Sequence, residues 1–168
     1  MAVRQIVKFP DPRLRQAAAA VTVFDAALEA LAADLLDTMR AAPGIGITAP
    51  HVGVLARVVV LELSPGETPA TYINPEIVWS SPEMIRHVEG SVSMPGASEE
   101  VERHARVRVR YHTLTGALAE EEAEGLRAVC HQHECDQLDG IFWLQRLSRL
   151  KRERVVRKYE KAQRGPAA

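Results

Sequence analysis

Two cysteines, no apolar run approaching a membrane span and no phosphate-binding loop set the first limits on these 168 residues. Cys130 and Cys135 lie five apart in a helix-like stretch. That spacing turns them about 140° round a helix axis and beyond disulfide reach, so both are expected to be reduced. The longest unbroken apolar runs, such as Ala17 to Val21 and Val58 to Leu61, fall far short of the ~20 residues that cross a bilayer. No apolar secretion segment follows the start, so a cytoplasmic protein without membrane contact is expected. The glycine-rich stretch has neither the Gly-x-Gly-x-x-Gly spacing nor a Gly-Lys-Ser/Thr ending, which excludes a nucleotide loop. No internal repeat and no low-complexity linker is visible.

What is present fits one compact domain over residues 1–168. Apolar residues make up 46% and charged residues 26%, close to soluble globular averages, and a chain of this length can bury a substantial core. The net charge of −1 is uneven: residues 141–168 carry nine Lys or Arg against Glu153 and Glu160, a net +7, which leaves −8 on residues 1–140. That basic arm is either a solvated helix face or a contact for a polyanion such as a phosphate backbone.

Along the chain, Pro10-Asp11-Pro12 marks an irregular opening. Asp25 caps a helix whose Leu28, Leu31, Leu35 and Met39 recur at three and four residues, stopped by Pro43-Gly44. Strand-like runs follow at Val58 to Leu61, at Tyr72-Ile73 and Ile77-Val78 around Asn74-Pro75, and at Val107, Val109 and Tyr111 alternating with arginines. A second helix after Gly116 aligns Leu126, Val129, Cys130, His133 and Gln137 on one face and stops at Asp139-Gly140. A basic third helix spans about 148–164, opening at Ser148 and closing before Gly165-Pro166. Strands bracketed by helices at both ends predict a mixed α+β fold.

The chemistry concentrates in three segments. His133-Glu134 and Gln137 put polar side chains on an apolar helix face, where each needs a hydrogen-bond partner or a ligand. A histidine at 137 would complete His-Glu-x-x-His, the pattern that holds a metal between two imidazoles one turn apart; glutamine stands there instead. Gly44 to Gly53 packs three glycines into ten residues, which permits close approach of another backbone or a ligand. The third segment is Glu89 to Gly96.

Taken together with Phe9-Pro10-Asp11-Pro12-Arg13-Leu14-Arg15, Tyr72 to Ile77, the Gln132-His133-Glu134 motif with Asp136, Leu138 and Gly140, and Arg146-Leu147-Ser148 before Leu150-Lys151, these segments resemble the peptide deformylase family almost end to end. The resemblance implies antiparallel sheets around a central helix that carries His133-Glu134. It also implies a metal-dependent hydrolase that removes the formyl group from the N-terminal methionine of nascent chains. The substrate would be a formyl-Met peptide or nascent-chain N-terminus. In the family the C-terminal helix is a candidate for contact with the ribosome and its RNA.

The departures from the family pattern fall on the chemistry. Ser91 stands where the family has a metal-binding cysteine, and Gln137 where it has the second ligating histidine. Of the ligand set only His133 remains, beside Glu134, the family's general acid and base. His51 replaces a glutamine that helps bind the developing oxyanion. The resemblance further assigns the Val92 backbone N–H as oxyanion donor and the Ile45 and Gly46 backbone as lining of the peptide cleft. Arg103 is placed either on a peptide carbonyl or in a salt bridge. With two ligands changed, no metal cofactor and little or no hydrolysis are expected from a retained peptide-binding scaffold. The alternative is an active deformylase with iron(II) or zinc in a site rebuilt from His51, His133 and Glu134.

Overall fold

A computed structural model of the chain describes residues 2–165. Pro166 of the expected Gly165-Pro166 stop lies outside them. After a short 3-10 turn at Pro12–Arg15 come α1 (Ala26–Ala41), β1 (Gly46–Thr48), a second 3-10 turn (Ala49–Val52), β2 (Val58–Leu61) and β3 (Ala70–Ser80). Then follow β4 (Met84–Glu89), β5 (Glu99–His104), β6 (Arg106–His112), β7 (Leu118–Glu124), α2 (Gly125–Leu138), a 3-10 turn at Trp143–Arg146 and α3 (Arg149–Gln163). Five strands form an antiparallel sheet in the order β1-β2-β3-β6-β7, and β4 and β5 form a separate hairpin. The α+β class and the antiparallel sheets around the His133-Glu134 helix are as expected.

The sequence explains why helices lie on both faces of the main sheet. In β2 the side chains alternate: Val58 and Val60 pack with Leu28, Leu35 and Met39 of α1, while Val59 and Leu61 pack with Cys130 and Leu138 of α2. All four are buried, which is why this strand reads as an unbroken apolar run. Asp25 caps α1 by accepting a hydrogen bond from Leu28 N at 3.0 Å. Ser148 does the same for α3, accepting from Lys151 N. Val155 and Tyr159 fasten α3 to a cluster with Phe142, Trp143 and Met94, so the weak apolar face of the basic helix is used in packing.

Two expectations need correction. Tyr72-Ile73 and Ile77-Val78 belong to one strand, because Asn74-Pro75 forms a bulge within it. Asn74 takes φ +51° there and exchanges hydrogen bonds with Val21, accepting from its N and donating to its O at 2.7 and 2.9 Å. The stretch between Gly116 and α2 contains the strand β7, paired throughout with β6. Its glutamates face the arginines of β6 in register, with Arg108–Glu122 and Arg110–Glu120 contacts at 2.8 and 2.9 Å. Both cysteines are free and buried, as expected.

Beyond α2, Gly140 turns the chain at φ +78°, and a Cβ there would lie 2.7 Å from the Arg15 carbonyl oxygen. Gly140→Ala is therefore expected to destabilise the fold by at least about 2 kcal/mol, combining left-handed strain with a backbone clash. The measurement is the denaturant midpoint, which should fall with an unchanged slope.

Candidate functional site

α2 brings His133 and Glu134 to a cleft of about 500 Å³, closed on other sides by the approach to β1, the 3-10 turn after β1 and the loop leaving β4. Helix and strand meet closely because Gly46 has no side chain: a Cβ there would sit 3.5 Å from Glu134 Cδ and 3.0 Å from Leu61 Cδ2. Ile45, Gly46, His51, Ser91, Val92, His133 and Glu134 all line the cleft, whereas Arg103 and Gln137 do not.

Arg103 is 4% exposed and fully engaged. It grips Glu89 through Nε and Nη2 at 2.7 and 2.9 Å and reaches Asp136 through Nη1 at 2.7 Å. Of its two expected roles, the geometry matches the salt bridge. Glu89 in turn lies 2.7 Å from His133 Nδ1, and Asp136 also accepts two hydrogen bonds from Arg146. The result is a buried chain of alternating charge, Asp136–Arg103–Glu89–His133, that fixes the imidazole and turns its Nε2 toward Glu134 Oε1 at 3.5 Å. Glu89 and Asp136 stood in the quoted motifs without assigned roles. Their common partner lies 14 and 33 residues away, a pairing no local pattern announces.

The protonation preferences follow from burial and these neighbours. Burial opposes ionisation of Glu89, but hydrogen bonds from Arg103 and His133 outweigh it and hold the carboxyl down at about 2. Burial likewise disfavours the His133 imidazolium, yet its Glu89 hydrogen bond and the nearby Glu134 charge raise it above the usual histidine value. Glu134 is pushed up to about 7, chiefly by burial, with His133 partly offsetting the effect. His51 is pushed down to about 3 by burial and by the neighbouring His133 charge, so it is neutral near pH 7.

Two buried polar atoms in this cleft have no partner: His51 Nε2 and Glu134 Oε2. Leaving such groups unpaired costs about 1–3 kcal/mol each, a cost ordinarily met by a ligand or ordered water. The other His51 nitrogen is occupied, since the Thr48 backbone N–H donates to Nδ1 at 2.9 Å. His131 and Cys135, also on α2, are not part of the site; His131 Nε2 pairs with Glu121 of β7, and Cys135 is buried outside the cleft.

The donor set does not fit iron(II) or zinc. Gln137 is buried and its amide Nε2 donates to the Leu14 carbonyl at 2.8 Å, and the Ser91 hydroxyl accepts from Ser93 N at 3.1 Å. One imidazole, one neutral hydroxyl and one amide make a poor set for metals that bind through thiolate and imidazole. Among the described residues no cluster of three or more His, Cys, Asp or Glu is placed to hold a metal. A site rebuilt from His51, His133 and Glu134 finds no support in this geometry.

Comparison with known proteins returns the polypeptide deformylase family, whose model matches residues 3–153. A peptide deformylase-like protein of Brucella melitensis is 69% identical over 164 residues, covering 98% of this chain and 100% of that one. A peptide deformylase of Phenylobacterium zucineum is 47% identical, with 96% and 97% covered. The crystal structure of a peptide deformylase from Legionella pneumophila superposes with a TM-score of 0.92 at 39% identity, covering 97% of this chain and 96% of that one.

Proposed function

Because the chain belongs to the polypeptide deformylase family, we propose that it keeps a cleft for a formylated peptide N-terminus while metal-dependent hydrolysis is lost or nearly lost. The observation that carries this reading is the use of Gln137: its amide ties α2 to the Leu14 carbonyl at 2.8 Å, and with Ser91 it leaves His133 as the sole imidazole of the family's ligand set. Deformylation requires a water activated by metal, whose pKa falls from 15.7 to about 7 on coordination, and a lone carboxylate such as Glu134 does not supply that activation.

What remains suits binding. β1 lies at the sheet edge; the Ile45 carbonyl accepts from Glu62 N beside β2, so the outward backbone of Gly46 is the part that would pair with an extended peptide. The Val92 N–H and His51 would meet the terminal carbonyl, with Glu134 alongside. Among the described residues no helix is long and apolar enough to cross a membrane. The setting we assign is the cytoplasm, on nascent chains. The basic arm, net +7 over residues 141–168, suits ribosomal RNA phosphates.

Calorimetric titration with a formyl-Met tripeptide, followed by a formate assay on the same sample with iron(II) or zinc added, tests the reading. Binding without formate release is the expected result. Formate release that Glu134→Ala abolishes, or failure to bind the formylated peptide, would overturn it.

A further inference from the structure

The charge chain beneath the cleft does not end at Asp136, whose carboxylate is shared between two arginines. Its Oδ2 accepts from Arg103 Nη1 at 2.7 Å and from Arg146 Nε at 2.8 Å, and its Oδ1 accepts from Arg146 Nη2 at 2.7 Å. Arg146 closes the 3-10 turn Trp143–Arg146, and Ser148, two residues on, caps α3. Its side chain is 46% exposed, against 4% for that of Arg103. The outermost member of the chain is therefore also the first cation of the basic arm. α3 meets the same wall of the cleft again: Arg154 Nη2 lies 3.6 Å from Glu99, the residue opposite Glu89 in the β4–β5 hairpin. An exposed ion pair by itself is worth about 1 kcal/mol or less, so stability alone gives Arg146 no role. Its place in the chain does. Freed from Arg146, the Asp136 carboxylate draws Arg103 away from Glu89, the group that fixes His133 Nδ1 at 2.7 Å.

We infer that Arg146 is a positioning residue that couples the basic arm to the cleft: the phosphates of an RNA on the arm compete with Asp136 for its guanidinium, and the His133 side of the cleft loosens as they win. Arginine suits both partners, because its fork pairs with phosphate as readily as with carboxylate. Two sites and two arrangements are thereby defined, Arg146 on Asp136 with the peptide held and Arg146 on phosphate with the peptide held less tightly. The coupling is reciprocal, so a bound peptide weakens the RNA contact by the same factor. It rests on the peptide-binding reading given above, whereas the positioning of His133 by Arg146 stands on the hydrogen-bond chain alone.

Two measurements on the intact protein test this, each made with and without a short single-stranded RNA oligonucleotide: NMR of the His133 ring nitrogens, and calorimetric titration with formyl-Met-Ala-Ser. Arg146→Met should shift the His133 signals and weaken peptide binding by about fivefold or more. Arg146→Lys, a cation without the fork, should fall between that variant and the wild type. RNA should weaken peptide binding to the wild type by about fivefold, and to Arg146→Met by less than about twofold. Arg157→Met, which removes one charge from the exposed face of α3, should keep both the wild-type His133 signals and the coupling. Unmoved His133 signals in a folded Arg146→Met protein would overturn the positioning role. Peptide affinity that bound RNA leaves unchanged, or weakens equally in Arg146→Met, would overturn the coupling, and so would a wild type that binds no RNA. If the wild type binds no formylated peptide, the proposed function and the coupling both fail, while the His133 signals of Arg146→Met still decide the positioning role.

Discussion

Ser91→Cys combined with Gln137→His is expected to give a protein that purifies with stoichiometric iron or zinc and hydrolyses formyl-Met peptides at least about a hundredfold faster than the wild type. Much of the scaffold for those ligands is in place, although the side chain at 137 has to turn from the Leu14 carbonyl into the cleft. His133 is oriented by Glu89 at 2.7 Å, and residue 137 lies one helical turn beyond it on the same face. Glu134 stands 3.5 Å from His133 Nε2, and Ser91 already lines the cleft. Removing the Gln137 bond to Leu14 costs about 1 kcal/mol, which metal binding more than offsets. Either single variant should bind metal far more weakly, since each adds one ligand to His133 and so holds only two of the three family ligands. Metal analysis and formate release check the pair together. A folded double variant without metal would mean that the cleft itself has diverged.

The second large effect concerns the charge chain beneath the site. Arg103→Met leaves Glu89 and the inward side of Asp136 without their cation, and losing one partner of a buried pair costs about 3–5 kcal/mol. Chemical denaturation measures that loss. The pH dependence carries a separate sign. Glu89 is held at about 2 in the folded protein against an ordinary value near 4.5. A depressed carboxyl stabilises the fold above its unfolded value, and that stability is lost as pH falls from about 4.5 toward about 2. Without Arg103 the depression shrinks, so the variant should lose less stability across that window than the wild type does.

How much of this was legible in the sequence depended on whether the deciding contacts were local. The α1 stripe and its Asp25 cap repeat at helical spacing, and the structure places them as expected; of the α2 face, Val129, Cys130 and Gln137 are buried but Leu126 is exposed, and His131, Gln132, Glu134 and Cys135 are buried outside that face because α2 packs against several elements at once. The helix carrying His133-Glu134 and the glycine-rich segment do converge on one cleft. β7 escaped notice because Leu118–Glu124 contains four glutamates and little apolar alternation; its stability comes from cross-strand arginines on β6. The β4–β5 hairpin lacks a readable alternation for another reason: β4 exposes Met84 and Val88 and buries Glu89, while β5 exposes Glu100 and Glu102 and buries Arg103 beside Val101. Asn74-Pro75 looked like a break because the Val21 contact that holds the bulge is 53 residues distant. Arg103 could be read two ways from sequence since its carboxylate partners are separated from it along the chain. The Thr48–His51 contact was hidden for another reason: the two residues are close in sequence, but only the 3-10 turn brings the Thr48 N–H onto the ring.

The central claim is that the family cleft persists here without the family's metal. The most direct test is the metal content of protein purified anaerobically, by mass spectrometry, with formyl-Met peptide turnover read on the same preparation. The account predicts metal far below stoichiometric and no turnover after iron(II), nickel or zinc is supplied. Stoichiometric metal together with turnover that Glu134→Ala abolishes would contradict it.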